Sequence, residues 1–243
     1  VLSLSFAINK ATGGAFDPTV APLVNAWGFG FKSGNLPDSI QVDSMLSLVG
    51  LSGIHLLDSK LTKDNQQSIL DFSAIAKGYG ADRAAQVLRS HRIHDFMVEI
   101  GGEVRVRGTN PRGEMWKIGI NKPDDDKESI NNELQQILQV TQLSMATSGN
   151  YRNFYEKDGK KYAHTIDPRS GYPVQHSILS STVLTQDCAT ADAYATAFMV
   201  LGLDEAKKVL DKHKELMAFF IYTNEKGETL TWHTESMEQM MLQ

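Results

Sequence analysis

The stretch DFSAIAKGYGADRAAQVLRSHRIHDFMVEIGG, residues 71–102, decides how we interpret the fold. The apolar run 69–72 overlaps the start of this stretch and predicts the end of a strand. Small residues around Lys77 predict a glycine-rich turn. Apolar residues at helical spacing predict a helix over 82–89. A second strand is expected over 96–100, and it ends in two glycines. The stretch therefore predicts a strand, a turn, a helix and a strand.

Two interpretations of the small residues in this turn stay open. Glycine removes the Cβ that would block a phosphate, and a helix N-terminus offers unpaired N–H groups and a positive dipole end. The same residues could instead allow two backbones to pack closely. Tyr79, which stands between Gly78 and Gly80, could stack on an aromatic ligand or could cover the core.

Outward from this stretch, patterns of helices and hairpins cover the rest of the chain. Hairpins outnumber strand–helix–strand units, so we expect one α+β domain over 1–243 with largely antiparallel sheets and packed helices. No repeat of fixed period and no linker divides the chain. The predicted helices are 2–10, 39–48, 189–201 and 204–213, and the predicted strands include 54–57, 104–107, 116–120, 135–141, 178–184, 217–222 and 229–233. Asp158–Gly159 predicts a further hairpin turn.

Composition limits the classes of function. The net charge is −5, which argues against a general nucleic-acid-binding surface. An anionic ligand would need a local positive feature such as Lys77, a helix end or a metal ion. Cys188 is the single cysteine, so no internal disulfide can form. No apolar run reaches the length of a transmembrane segment, and nothing resembles a signal peptide.

The predicted helix around Asp192 and Thr196 carries the clearest chemical pattern. The helix is apolar nearly all round and should be buried, yet these two polar residues lie one turn apart on one face. A carboxylate and a hydroxyl at this spacing suit Mg²⁺ or Ca²⁺, with phosphate oxygens and water completing the shell. Alternatively, Asp192 pairs with a buried cation or caps a neighbouring helix, and Thr196 bonds its own backbone.

Two further residues are candidates for the same site. His164 lies at a predicted strand end and could take a proton from a hydroxyl nucleophile, or could simply pack and hydrogen-bond. Asp17 precedes Pro18, so its carboxylate could shape a turn or accept hydrogen bonds from a ligand.

Taken together, the motifs resemble the ApbE family, the FAD:protein FMN transferases. The resemblance runs from the first residues to about Tyr222 and rests on motifs in the order that the family shows. They are GGAFDPT (13–19), DFSAIAKGY (71–79), GGE (101–103), ATSGNYR (146–152), HTIDPRSGYPV (164–174) and ADAYATA (191–197).

This resemblance implies a T-fold-like domain of the ApbE type and an Mg²⁺-dependent enzyme. The enzyme would transfer FMN from its substrate FAD to a threonine hydroxyl of an acceptor protein, releasing AMP. It implies His164 as the catalytic base. The flavin or nucleotide contacts that it implies are Ala15, Phe16, Asp17, Asp71, Lys77 and Val174, and Tyr79 is a candidate for stacking on the ligand. The metal ligands that it implies are Asp192, Thr196 and the region of Ala74.

The resemblance also sets expectations about partners and location. Family members usually carry a further N-terminal segment, and this chain begins after it. In exported members that segment includes a lipoprotein anchor, so we expect an exported, membrane-anchored protein on the periplasmic or outer face. The expected partner is a redox-pump or electron-transfer subunit with a flavinylation-motif threonine, and no nucleic acid. Two alternatives are an Mg²⁺-dependent FAD pyrophosphatase and a non-catalytic flavin-binding protein.

Overall fold

A computed structural model describes residues 1–29, 36–123, 133–150 and 164–242, together with the backbones of 154–157 and 160–163. Helices and antiparallel strands make up this part of the chain. The helices are α1 (Leu2–Ala11), α2 (Ala21–Ala26), α3 (Ser39–Leu46), α4 (Ala76–Ser90), α5 (Cys188–Leu201), α6 (Leu203–Lys212) and α7 (Glu235–Glu238). The strands are β1 (Ile54–Leu57), β2 (Lys60–Lys63), β3 (Phe96–Ile100), β4 (Glu103–Arg107), β5 (Trp116–Asn121), β6 (Leu134–Val140), β7 (Ser144–Gly149), β8 (Phe154–Lys157), β9 (Lys160–Ala163), β10 (Ile178–Thr185), β11 (Met217–Thr223) and β12 (Thr229–His233).

The central sheet has six strands in the order β12-β11-β10-β7-β4-β3, and every neighbouring pair is antiparallel. Three two-stranded ribbons, β1–β2, β5–β6 and β8–β9, complete the strands of the described chain. Mixed helices and antiparallel sheet agree with the α+β architecture that the sequence predicts. No helix among the described residues is long and apolar enough to cross a membrane.

Both faces of the central sheet are buried, which explains why its inner strands are apolar at consecutive positions. Successive side chains of a strand point to opposite faces. On β11, Ala218 and Phe220 pack in the core beneath α5, whereas Phe219 and Ile221 pack in a second core against the β5–β6 ribbon. The sheet is thus the middle layer between helices and a ribbon.

Helices α4 and α5 pack so closely that their backbones almost touch. A Cβ built on Gly78 would lie 2.3 Å from the carbonyl oxygen of Cys188, at the start of α5. One turn further along α4, the Asp82 carboxylate accepts hydrogen bonds from the backbone N–H groups of Cys188 and Ala189, at 3.0 and 2.9 Å. Asp82 is therefore a cap for the N-terminus of α5, supplied by the neighbouring helix. Arg105 holds the same carboxylate at 2.7 Å.

The interior of this junction is apolar, and it covers the single cysteine. Cys188 is fully buried, and its thiol lies 3.5 Å from the carbonyl oxygen of Val104. Burial raises the pKa of the Cys188 thiol far above its usual range, and the nearby carboxylates of Asp82 and Asp192 raise it further.

The structure corrects the sequence prediction in the stretch 69–80. Residues 69–72 form no strand, and α4 begins at Ala76, so the two glycines of the expected turn lie in its first turns. The geometry of Gly78 supports the close-packing interpretation, because its missing side chain makes room for α5. Helix α2, the β2 strand and the separate β7 strand were not expected. Residues 158–159 of the expected hairpin turn lie outside the described residues.

A substitution pair within α4 tests this contact. Gly78→Ala places a methyl group against the α5 backbone, which cannot yield as a flexible side chain would, so we expect a loss of about 2–3 kcal/mol in unfolding free energy. Denaturant unfolding followed by circular dichroism measures this loss.

Gly80→Ala is the matched control, because its Cβ would meet only the flexible end of Ile100 at 3.2 Å. Alanine favours helix over glycine by about 0.5–1 kcal/mol, so this variant should be as stable as the parent or slightly more stable. Equal losses in the two variants would contradict the proposed backbone contact.

Candidate functional site

A cavity of about 270 Å³ opens where α5, the start of α4, the end of β7 and two loops meet. The first loop joins α1 to α2, and the second follows β9. Eighteen side chains or backbones line it: Ala15, Phe16, Asp17, Pro18, Val20, Val24, Asp71, Ser73, Ala74, Lys77, Ser148, His164, Thr165, Ile166, Pro168, Asp192, Thr196 and Val200.

Helix α5 contributes one stripe of residues to this cavity, at a spacing of four. Asp192, Thr196 and Val200 all line it, as residues one turn apart on one helix face should. The Thr196 hydroxyl lies 3.0 Å from the Ser148 hydroxyl on β7. Asp192 as a residue is 2 % exposed, and its Oδ2 atom accepts a 3.0 Å hydrogen bond from the backbone N–H of Gly78. Each of the two polar residues of the stripe thus has a hydrogen-bond partner on a neighbouring element.

The electrostatics of Asp192 follow from this burial. Desolvation raises the pKa of Asp192, while the Gly78 N–H bond and the Lys77 charge lower it in part. Its structural partner is thus a backbone N–H in the first turn of α4, as the helix-capping alternative expects, rather than a buried lysine or arginine side chain. The residue also lines the cavity.

Asp17 uses its carboxylate to shape the loop that it occupies. Its Oδ1 atom accepts from the backbone N–H and the hydroxyl of Thr19, at 2.8 and 2.6 Å. The side-chain amide of Asn9 lies 3.3 Å from Oδ2. Burial raises the pKa of Asp17, and these hydrogen bonds lower it in part. The turn-forming interpretation is therefore present in the structure, and the residue also lines the cavity.

The turn before α4, together with the start of that helix, supplies another part of the cavity wall. Asp71 accepts a 2.8 Å bond from the backbone N–H of Ser73, which tightens this turn. Ala74 and Lys77 line the cavity on either side of the helix start. The Lys77 ammonium is 2.6 Å from a carboxylate oxygen of Glu103, a side chain that is 2 % exposed. A positive charge is thus fixed beside the carboxylate of α5.

His164 lines the same cavity from the loop after β9. Its ring meets Phe29 edge-on, with ring centroids 6.3 Å apart. The neighbouring Thr165 hydroxyl donates a 2.6 Å bond to the side-chain oxygen of Asn150 at the end of β7. This contact ties the histidine-bearing loop to the central sheet.

The oxygen atoms at this site suit a hard divalent cation. Asp192, Thr196, Ser148 and the backbone near Ala74 together offer one carboxylate, two hydroxyls and a carbonyl. Across the residues that the structure describes, no cluster of three or more His, Cys, Asp or Glu side chains is placed to hold a metal. A cation here would therefore depend on the single carboxylate of Asp192, on neutral oxygens and on substrate phosphates, and binding through one or two carboxylates with phosphates is usual for Mg²⁺.

Comparison with known proteins assigns the family. The ApbE family model matches residues 1–220. The FAD:protein FMN transferase of Vibrio cholerae is 38 % identical over 229 residues, covering 93 % of this chain and 67 % of the relative. The chain belongs to the ApbE family. The enzyme of the same name from Escherichia coli K12 is 34 % identical over 248 residues, covering 100 % of this chain and 69 % of the relative. The chain thus spans about two thirds of the length of these relatives.

Solved structures of ApbE proteins share the fold. The flavin transferase ApbE of Vibrio cholerae superposes with a TM-score of 0.86 at 35 % identity, covering 98 % of this chain and 75 % of that one. The ApbE protein of Thermotoga maritima gives 0.84 at 28 % identity, covering 98 % and 76 %. The α+β, ApbE-type architecture expected from the sequence is confirmed by these likenesses.

The cavity brings together most of the site residues that the sequence predicts. They are Ala15, Phe16, Asp17, Asp71, Ala74, Lys77, His164, Asp192 and Thr196. Two others lie apart from its lining. Tyr79 is 41 % exposed on α4, and Val174 pairs through its N–H with the carbonyl of Thr165, next to His164. Sequence reasoning did not single out Ser73, Val200 or Glu103 as individual residues.

The buried carboxylate of Asp192 generates a stability prediction. Because its pKa is raised in the folded state, its contribution to stability is present at low pH and is lost as the pH rises through that value. Asp192→Asn keeps an oxygen for the Gly78 N–H and removes the buried charge. We expect this variant to be more stable than the parent by about 1 kcal/mol at pH 7 without divalent cations.

Thermal unfolding in EDTA, at pH 7 and at pH 4, measures this effect. The advantage of Asp192→Asn should shrink at the lower pH, because the raised pKa of Asp192 favours the neutral form of the parent carboxyl as the pH falls. The exposed residue Asp204 gives the matched control, Asp204→Asn. A less stable Asp192→Asn at both pH values would contradict this account of the site.

Proposed function

We propose that this chain catalyses the Mg²⁺-dependent transfer of FMN from FAD to a threonine hydroxyl of an acceptor protein, with release of AMP. One observation carries the proposal. A single cavity is lined by His164, by the Asp192–Thr196 pair and by Lys77. A candidate base and a cation-binding, phosphate-binding wall are the two components that phosphoryl-type transfer needs. The names of the relatives support the same reaction.

The α4–α5 wall would receive the pyrophosphate of FAD. Asp192 and Thr196 would hold the cation with the help of Ser148 and the backbone at Ala74, and Lys77 would add a second positive charge. Mg²⁺ bound there would neutralise phosphate oxygens and stabilise the departing AMP. Because Asp192 and Thr196 sit on a buried helix, their oxygens would need little rearrangement when substrate arrives.

His164 would act on the incoming nucleophile. Its imidazole would accept the proton of the threonine hydroxyl while the threonine oxygen attacks the phosphorus of the FMN half. The bond between that phosphorus and the bridging oxygen breaks, and AMP departs with the electron pair. The products are a phosphoester-linked FMN on threonine and free AMP. Water in place of threonine would give FMN and AMP.

The acceptor and the location belong to the same proposal. The family resemblance supports an acceptor with a flavinylation-motif threonine, of the redox-pump or electron-transfer type. It also supports an exported protein held at the membrane, on the periplasmic or outer face, by a lipoprotein anchor.

A product assay distinguishes the candidate activities. The protein is incubated with FAD, Mg²⁺ and an acceptor protein that carries a flavinylation-motif threonine, and the products are analysed by in-gel fluorescence and by chromatography. Fluorescent acceptor with one AMP per flavin supports the transferase. Free FMN with AMP identifies a pyrophosphatase instead, and intact bound FAD identifies a flavin-binding protein.

Removing the charge of Asp192 should stop this reaction without unfolding the protein. We expect Asp192→Asn to lower transfer by about 100-fold or more, because the cation loses its carboxylate ligand. A Mg²⁺ titration of turnover provides the measurement, with Asp204→Asn as the control. Wild-type activity and an unchanged Mg²⁺ midpoint would show that Asp192 does not hold the metal.

Replacing His164 should separate chemistry from binding. His164→Ala is expected to slow transfer by about 100-fold while the dissociation constant of FAD changes less than threefold, since general-base catalysis contributes roughly 10²–10⁴. Fixed-time transfer assays measure the rate, and equilibrium fluorescence titration measures the dissociation constant of FAD. The exposed His91 supplies the control His91→Ala. Parallel losses in rate and affinity would indicate a binding histidine.

A further inference from the structure

Among the residues that the structure describes, Glu103 is a deeply buried acidic group beside the cavity that the proposed reaction does not use. Its side chain is 2 % exposed, and its Oε1 atom holds the Lys77 ammonium at 2.6 Å. Among the described residues its second oxygen, Oε2, has no hydrogen-bond partner. Burial and the negative charge of Asp192 raise the pKa of Glu103, and the bond to Lys77 opposes them.

Stability alone does not account for such a carboxylate. A buried ion pair with one unsatisfied oxygen recovers little of its desolvation cost, and apolar side chains of similar volume often serve the fold as well or better. The partner ammonium, moreover, belongs to a side chain that is 46 % exposed and that borders the cavity. The pair therefore joins a buried anchor to a group that reaches the ligand space.

The β3–β4 hairpin is shaped to receive the lysine. Its two turn residues, Gly101 and Gly102, have φ values of 60° and 99°, the combination that a tight two-residue turn requires. A Cβ on Gly101 would lie 3.0 Å from the Lys77 Cδ atom. The lysine stem thus crosses the turn where a side chain is missing, and Glu103 begins β4 directly after it. Stem and ammonium are held by separate features of one hairpin.

We propose that Glu103 is a positioning residue that fixes the Lys77 ammonium at the cavity wall, where it meets a phosphate of the bound nucleotide. This inference rests on the proposed function, since it assumes that a phosphate occupies the wall. Glu103 does not touch the ligand. It acts by removing the freedom of a long, flexible side chain before the ligand arrives, which lowers the entropic cost of binding.

A double-mutant cycle tests the proposal, with ADP and Mg²⁺ as the binding probe. Glu103→Gln keeps the size of the side chain and an oxygen but removes the charge that anchors Lys77. We expect it to weaken ADP binding about 5–10-fold in the parent and to have no effect in a Lys77→Met background, because Glu103 acts through Lys77. Isothermal titration calorimetry measures each dissociation constant.

Controls keep the outcome interpretable. Glu99→Gln changes an exposed glutamate on the neighbouring strand β3 and should bind ADP as the parent does. Circular dichroism and Tm confirm that each variant is folded. If Glu103→Gln does not fold, Glu103→Asp keeps the charge but draws the ammonium back by one methylene, and it should weaken ADP binding in the parent alone.

Equal losses of affinity in the parent and in the Lys77→Met background would overturn the proposal, as would unchanged affinity in Glu103→Gln. The FMN-transfer assay on the parent protein is run beside the titrations. If the parent binds ADP but transfers no FMN, the proposed transferase activity is contradicted. The double-mutant cycle then still tests whether Glu103 positions Lys77. A parent that transfers FMN while the cycle is additive contradicts the role of Glu103 alone.

Discussion

The backbone of α4 meets the backbone of α5 at Gly78, and the geometry of the cavity wall depends on that contact. Because Gly78 has no side chain, its N–H reaches the Asp192 carboxylate at 3.0 Å, and the α5 N-terminus lies close enough for Asp82 to cap it. The same contact sets the start of α4, with Ala74 and Lys77, opposite the polar stripe of α5. A larger residue at position 78 would move both halves of the wall.

This wall places charged groups where burial is costly. Asp192 and Glu103 are both almost completely buried, and desolvation raises the pKa of each. Lys77 is the nearby cation that opposes both shifts. Burying these charges lowers the stability of the fold, but it benefits ligand binding. Groups that are fixed and poorly hydrated interact strongly with the charge of an incoming ligand. The charged groups of the cavity are thus already in place before a ligand binds.

Sequence patterns predicted the architecture because the relevant information is local. The bounds of β3, β10, β12 and most helices follow from apolar periodicity and turn residues, and the spacing of Asp192 and Thr196 placed them on one face of α5. The error in 69–80 has a physical cause. Glycines at positions 78 and 80 resemble a turn when only the chain itself is considered, yet close packing against α5 compensates for their weak helical preference.

Contacts between distant segments could not be predicted in the same way. The pairing of Lys77 with Glu103 and the hydrogen bond between Ser148 and Thr196 join segments 26 and 48 residues apart. The capping of α5 by Asp82 joins residues more than 100 positions apart. No periodicity encodes such pairs, because they depend on how the helices settle on the sheet. The resemblance to the ApbE family supplied the site residues that periodicity could not.

The lone thiol at the helix junction has one more consequence. Cys188 is sealed beneath β4, and its raised pKa keeps the sulfur protonated at any physiological pH. Oxidants and disulfide-exchange catalysts react with accessible thiolates, so this sulfur offers them no target in the folded state. Cys188 is buried as a free thiol, so this junction itself forms without a redox step. The helix junction can accordingly form and persist unaltered on either side of a membrane.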